Sequence, residues 1–396
     1  MAGSLRGING RGTEFDADFA PLIGQAYSVA ALSIRGTAMT SLDGFHDAYG
    51  ATYGTRGERS VVEHYGRPAR THRAVRNGVG VYPRPADVVT VTGADRVEYV
   101  DNVLTVSVPS DAGAGCYGLL LSPNGRVRLD LYVYCLKDKL LLVLPPGEAE
   151  ALVADWQEKV FIQDVAFETE TTYEVVHVTG PQATEAMHTT LADDLPTDLY
   201  SFVETTIEGH SIFAAATEAL AGEAGYDVLV DAESATPVVS AFTTGAIPAV
   251  PIGTQIWEQL TLEAGTPLLD PDFRDELPNN AGLRLALDFE KGCYVGQEVV
   301  SRIEHRGHPN ARLVGLEFGS LPESGAELHH DGESIGHVTR AIESPIRKTS
   351  IGFGYLPFGF EREALDSPVG TARIVPLPFV EGSAASERLP DYPPVE

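Results

Sequence analysis

The chain has 396 residues, enough for two or three domains with a sizeable core, and its 56 acidic against 28 basic side chains give a net charge of −28. That excess argues against duplex nucleic acid or an anionic membrane as a general partner. Lysine occurs only at 137, 139, 159, 291 and 348, a composition expected of a cytoplasmic protein from a salt-loving organism, where the charge serves solubility; an acidic face for a basic partner is the alternative.

Residues 1–38 show no periodicity and read as a tag-like or disordered tail that stops before Met39. No run approaches the roughly 18 to 20 apolar residues that span a bilayer, and the first residues lack the apolar core of a secretory signal. Residues 40–76 are polar and glycine-rich, with Tyr49, Tyr53 and Tyr65 interspersed, and are expected to wrap over a later domain. The folded core is expected to begin near Val81. Alternation predicts a strand over 88–93, and the apolar spacing of Val97, Val100, Val103 and Leu104 predicts a helix. Residues 116–121, 127–136 and 140–144 read as strands, with turn chemistry at Ser122-Pro123-Asn124-Gly125 and a hairpin tip at Lys137-Asp138-Lys139. Pro145-Pro146-Gly147 ends that ladder, and 148–160 is an amphipathic helix.

The same grammar returns as a strand at 173–178, Thr179-Gly180-Pro181-Gln182, and a helix through Leu191, so a duplicated α/β half is expected. Further strands are read at 211–215 and 226–230, and a helix at 252–262. Short strands with glycine turns at 313–318, 334–339, 351–355 and 372–375 suggest a separate small β-barrel or sandwich. Residues 377–396 are expected to lie over the surface or to be disordered.

The stretch that promises chemistry is Lys291-Gly292-Cys293-Tyr294-Val295-Gly296-Gln297-Glu298. Its glycines allow a tight turn, and Gly296 leads into a short helix with a carboxylate in its first turn. A helix start with Lys291 nearby would favour the Cys293 thiolate; the alternative for an isolated cysteine is a small buried residue. The three cysteines (116, 135 and 293) have no metal-ligand spacing, and their odd number does not support a disulfide framework, which fits a reducing compartment. From 291 to 312 the lysine and arginine residues 291, 302, 306 and 312 outnumber Glu298 and Glu304, a basic island suited to an anionic ligand or to a salt-bridged helix face. His329-His330-Asp331 does not converge on one ion, so no metal is expected.

With those residues in place, the chain resembles the folate-binding family of the glycine-cleavage T-protein, and within it the YgfZ branch. The octapeptide at 291–298, followed by Arg302 and Arg306-Gly307, is the most specific match. Weaker ones are Thr179-Gly180-Pro181-Gln182, Gly222-Glu223-Ala224-Gly225-Tyr226, Leu262-Glu263-Ala264-Gly265-Thr266-Pro267 and Val375-Pro376-Leu377-Pro378. The resemblance implies an α+β fold of two interleaved α/β subdomains and a C-terminal β-barrel around a central hole that holds tetrahydrofolate. It divides the chain into a folate-binding core at 39–285, the motif and barrel at 286–380, and an acidic tail at 381–396.

It also implies that Glu223 anchors the pterin, since a carboxylate can accept two parallel N–H bonds from the pterin edge; a solvated loop glutamate is the alternative. Tyr226, Tyr294, Gln297, Arg302 and Arg306 are the other candidate folate contacts, and Cys293, Lys291 and Asp130 the candidate catalytic groups. T-proteins usually carry paired aspartates where this chain has Leu129-Asp130, and tend to have arginine at the position of Thr261. The missing aspartate puts transfer chemistry in question, and a lone strand aspartate can equally face solvent. The first functional expectation is a YgfZ-like tetrahydrofolate-binding protein that supports iron-sulfur client proteins. The alternative is aminomethyl transfer from a lipoyl carrier protein to tetrahydrofolate; a third is a folate-sensing module whose thiol only packs.

Overall fold

Valine- and leucine-rich runs pair into two sheets. In the computed structural model, which describes residues 42–56, 59–192 and 194–393, the five-stranded sheet runs Gly115–Leu121, Val127–Cys135, Leu140–Leu144, Asp87–Thr92 and Ala166–Glu170, every neighbour antiparallel. The six-stranded sheet runs Phe202–Ile207, His210–Thr217, Gly225–Asp231, Tyr173–Thr179, Gly80–Arg84 and Val250–Pro251, antiparallel except for the last pair. The expected tail at 1–38 lies outside the described residues.

The two sheets repeat one plan. Asp87–Thr92 feeds the helix Arg96–Val103 and then three hairpin-linked strands, the last of which returns beside the first; Tyr173–Thr179, the helix Ala183–Thr190 and three further strands do the same. The halves interleave, because Gly80–Arg84 precedes the first repeat in the chain yet pairs with Tyr173–Thr179 in the second. Val175, Phe202, Ala215 and Leu229 of the six-stranded sheet share one buried cluster with Leu119, Leu131 and Leu142 of the other. Each such side chain contributes about 1.5–3 kcal/mol by leaving water. Leu140–Leu144 is buried at every position, which accounts for its unbroken apolar run in place of alternation.

Residues 311–375 form a closed six-stranded barrel, which leaves no open edge. Its Arg340 guanidinium reaches back into the core, 3.0 Å from the Asp272 carboxylate and 3.1 Å from the Thr261 hydroxyl. An arginine therefore meets position 261 from the barrel, although the helix itself carries threonine there.

Three expectations are corrected. The core starts well before Val81: the helices Asp43–Ala48 and Pro68–Asn77 bury Phe45, His72 and Val75. The second helix docks through polar groups, with His72 and Arg76 on Glu263, so apolar spacing gave little sign of it. The octapeptide packs on the α/β core, and not with the barrel: Gly296 holds φ +85°, and a Cβ there would stand 2.7 Å from the Ser122 carbonyl oxygen in the hairpin turn. Finally, 377–393 is neither a surface tail nor loose, for Phe379, Ser386 and Arg388 are buried and the segment runs through the middle of the molecule.

Candidate active site

Strand alternation decides what the central strand Val127–Cys135 offers to each side. Leu129 and Leu131 point into the apolar core, while Asp130, Tyr132 and Tyr134 point the other way, where Tyr132 and Tyr134 meet Tyr200 and Phe202. Only the second position of an aspartate pair can face this side, so the leucine at 129 takes no carboxylate from it. Tyr117 sits directly opposite Tyr132 in the ladder, and its hydroxyl donates to Asp130 Oδ2 at 2.9 Å. Tyr132 donates to Glu218 Oε2 at 2.9 Å. Two carboxylates, Asp130 half-buried and Glu218 fully buried, thus converge on a slot walled by tyrosines.

The slot holds the Arg388 side chain. Its Nη1 stands 3.1 Å from Asp130 Oδ2, its Nε donates to Glu218 Oε1 at 3.0 Å, and its Nη2 to the Tyr132 hydroxyl at 2.5 Å. The guanidinium plane lies 3.8 Å from the centre of the Tyr117 ring, within cation–π reach. Burial disfavours the charge of Arg388, but Glu218, Tyr117, Tyr132 and Asp130 outweigh it and hold the group firmly protonated. Burial likewise pushes the Tyr117, Tyr132 and Tyr134 phenols well above their usual range, so they act as donors. The expected central hole is therefore occupied by the chain's own arginine.

Next to it, Asp227 accepts from Arg84 at 2.5 Å and faces His177 Nδ1 at 2.8 Å. Burial raises the Asp227 carboxyl, yet Arg84 and His177 bring it below the usual carboxylate range. Around this pair the buried His177 Nε2, Thr179 Oγ1, Thr217 Oγ1 and Tyr134 hydroxyl have no protein partner. Buried polar atoms without partners are costly unless water or a ligand serves them.

The sequence-predicted residues divide. Glu223 is buried beside the slot, where the Ser383 backbone N–H donates to it at 3.2 Å and the Ser383 hydroxyl donates as well. Tyr226 points to the opposite face from Asp227 and bonds Thr184 in a second core, which removes it from the folate contacts. Lys291 does not activate the thiol: its ammonium is 98 % buried and donates to the Asp101, Leu104 and Val106 carbonyls at 2.5, 3.1 and 2.7 Å, tying down a helix end. Tyr294 packs in the apolar core, and Gln297 opens the helix Gln297–Arg306. Arg302 pairs with Glu298 across one exposed turn at 2.5 Å, the salt-bridged alternative; the Arg306 side chain lies outside the described residues. Cys293 is exposed, contrary to the buried-cysteine alternative. Among the described residues no three metal-binding side chains cluster, and no helix is long and apolar enough to cross a membrane.

The GCVT N-terminal domain model matches residues 42–291, and the glycine cleavage T-protein C-terminal barrel domain model matches 312–381. The chain belongs to the glycine-cleavage T-protein family. It is 28 % identical over 348 residues to an aminomethyltransferase of Streptomyces avermitilis, covering 85 % of this chain and 92 % of that one. A probable aminomethyltransferase of Natronomonas pharaonis is 27 % identical over 337 residues, covering 81 % and 89 %. A putative chloroplastic transferase of Arabidopsis thaliana is 25 % identical over 318 residues, covering 79 % and 73 %. The glycine cleavage system aminomethyltransferase T of Bartonella henselae superposes with a TM-score of 0.76 at 22 % identity, over 87 % of this chain and 99 % of that one, which establishes the T-protein fold.

Glu218 and Arg388, the residues that define the slot, were not singled out from sequence. Glu218 stands five residues before Glu223 on the same loop, and Arg388 lies beyond the matched barrel domain, so neither carries a motif. The thiols can be told apart chemically. Burial and neighbouring Cys135 push the Cys116 thiol up to about 12, and burial pushes Cys135 up to about 11. Mild alkylation of the folded protein is therefore expected to label Cys293 alone, and all three after denaturation, counted by mass spectrometry.

Proposed function

We propose that this T-protein family member binds tetrahydrofolate between its sheets and transfers a one-carbon unit to it from an aminomethyl-loaded lipoyl carrier protein, with release of ammonia. One observation carries the reading: Asp130 and Glu218 converge on a flat, tyrosine-walled slot between the two sheets. The slot suits a pterin, since its carboxylates can accept from ring N–H groups, its phenols stack on a flat ring, and unpartnered polar atoms lie alongside. Tetrahydrofolate supplies the nitrogens that hold the one-carbon unit. Glu218 and Glu223 orient the ring, Asp130 holds or takes a proton with Tyr117 fixing its Oδ2, and the tyrosines exclude water. The acidic composition suits activity in concentrated salt.

The test is to incubate the protein at high salt with tetrahydrofolate and aminomethyl-loaded carrier, and to follow methylene-tetrahydrofolate and ammonia together. Equal amounts of both are expected; folate binding without either product would remove the transferase. A second reading, the YgfZ-type support of iron-sulfur client proteins, is favoured by the exposed Cys293 in its intact octapeptide. It requires Cys293→Ser to fail to restore iron-sulfur enzyme activity in a deletion strain.

A further inference from the structure

The segment that fills the slot is bonded all along its length. Val380 N–H donates to the Glu263 carbonyl at 2.8 Å, Ala384 N–H to the Gly222 carbonyl at 3.1 Å, and Asp391 N–H to the Gly282 carbonyl at 3.0 Å. Ser383 holds Glu223, Glu387 accepts from the Ala219 N–H at 2.7 Å, and Ser386 Oγ lies 2.6 Å from Thr266 Oγ1. Gly382 crosses so close to Gly222 that any Cβ there would collide with the Gly222 carbonyl. The run therefore takes both loop glutamates, 218 and 223, and Asp130 at once.

The chemistry of Arg388 is what a pterin would present. A guanidinium is planar, stacks on aromatic faces and offers N–H donors in a fixed fork to carboxylates. The amidine edge of a pterin is likewise planar and aims N–H groups at an acceptor. Arg388 stacks on Tyr117 and gives its donors to Glu218, Asp130 and Tyr132. Ring and guanidinium cannot occupy one slot together. The matched barrel domain ends at residue 381, so every residue that makes this plug lies past it.

We propose that residues 382–393 form a built-in competitor: Arg388 occupies the place of the pterin's amidine edge on Glu218 and Asp130, and tetrahydrofolate enters only as the segment withdraws. This rests on the folate reading above and adds Glu218 as the ring's acceptor. Affinity is then set by the fraction of molecules with the segment out. The anchoring bonds are ordinary hydrogen bonds and one ion-paired arginine, a set that local opening can break without unfolding the sheets.

The experiment combines two measurements on the full chain. Hydrogen exchange of peptides covering 382–393 is followed in the wild type with and without saturating tetrahydrofolate, and tetrahydrofolate affinity is measured for wild type, Arg388→Ala and Gly382→Ala. Gly382→Ala dislodges the segment while leaving Asp130, Glu218 and Arg388 in the chain, so it guards against a folding defect caused by removing the arginine. Exchange in 382–393 is expected to accelerate with ligand, and both variants to bind at least about tenfold more tightly than wild type, as for a competent state below about 10 % populated. Binding by the wild type with 382–393 equally or better protected, and weaker binding by both variants, would overturn the competitor and make Arg388 a fixed wall of the folate site. No binding by any of the three would overturn both this inference and the folate reading.

Discussion

Asparagine at 130 is expected to slow one-carbon transfer by about 10²- to 10⁴-fold, the range that a positioned proton-transfer group contributes. Tetrahydrofolate binding is expected to be unchanged or tighter. The two effects separate because Asp130 has two roles. Its Oδ2 accepts from Tyr117 and pairs with Arg388; asparagine can still accept from the phenol but no longer attracts the guanidinium by charge. Single-turnover product formation and equilibrium titration of Asp130→Asn measure the two separately. A parallel loss of binding and rate would show that Asp130 only shapes the pocket, and an unaltered rate would remove it from the chemistry. Restoring the missing aspartate is expected to fail, because the Leu129 side chain is buried on the apolar face of the strand. Leu129→Asp would place an unpaired charge in the core and destabilise the fold.

The architecture was largely legible because it rests on patterns with a clear period. The strands of both sheets and of the barrel were foreseen within a few residues from alternation and turn chemistry, and the suspected duplication appears as the same strand order in each sheet. What escaped was held by polar contacts between distant positions. The helix Pro68–Asn77 docks through His72 and Arg76, 191 and 187 residues before the carboxylate they share. The C-terminal segment looked loose because its composition is rich in Pro, Glu and Ser. Its order comes from single side chains finding buried partners, such as Arg388 with Glu218 across 170 residues. The candidate site split along the same line. Asp130 and Glu223 came through the family resemblance, whereas Lys291 and Tyr226 failed because side-chain direction, set by a helix end and by strand alternation, cannot be read from a motif.

Glu263 ties four parts of the chain together, and its loss is expected to be the most damaging single change to stability. Its Oε2 lies 2.9 Å from His72 Nε2 and 2.8 Å from Arg76 Nη2, and its Oε1 accepts from Ser344 at 2.5 Å in the barrel. Its backbone carbonyl meets Val380 at the start of the C-terminal run. Burial raises the Glu263 carboxyl, but His72, Arg76 and Ser344 together carry it below the usual carboxylate range. A depressed carboxylate contributes stability that is fully present above its unfolded value, about 4.3, and is lost as pH falls through the folded one. Glu263→Ala is expected to cost about 3–5 kcal/mol at neutral pH, since Arg76 and His72 are left buried without their acceptor. Unfolding measured at pH 7 and again near pH 3 is expected to show the gap to wild type shrinking in acid; a gap independent of pH would mean that lost packing, and not the charge, is responsible. Arg76 also donates to the Ala221 carbonyl at 2.8 Å, inside the loop that carries Glu218 and Glu223. The same substitution is therefore expected to weaken folate binding without touching the slot, because the loop that aims both glutamates loses its support.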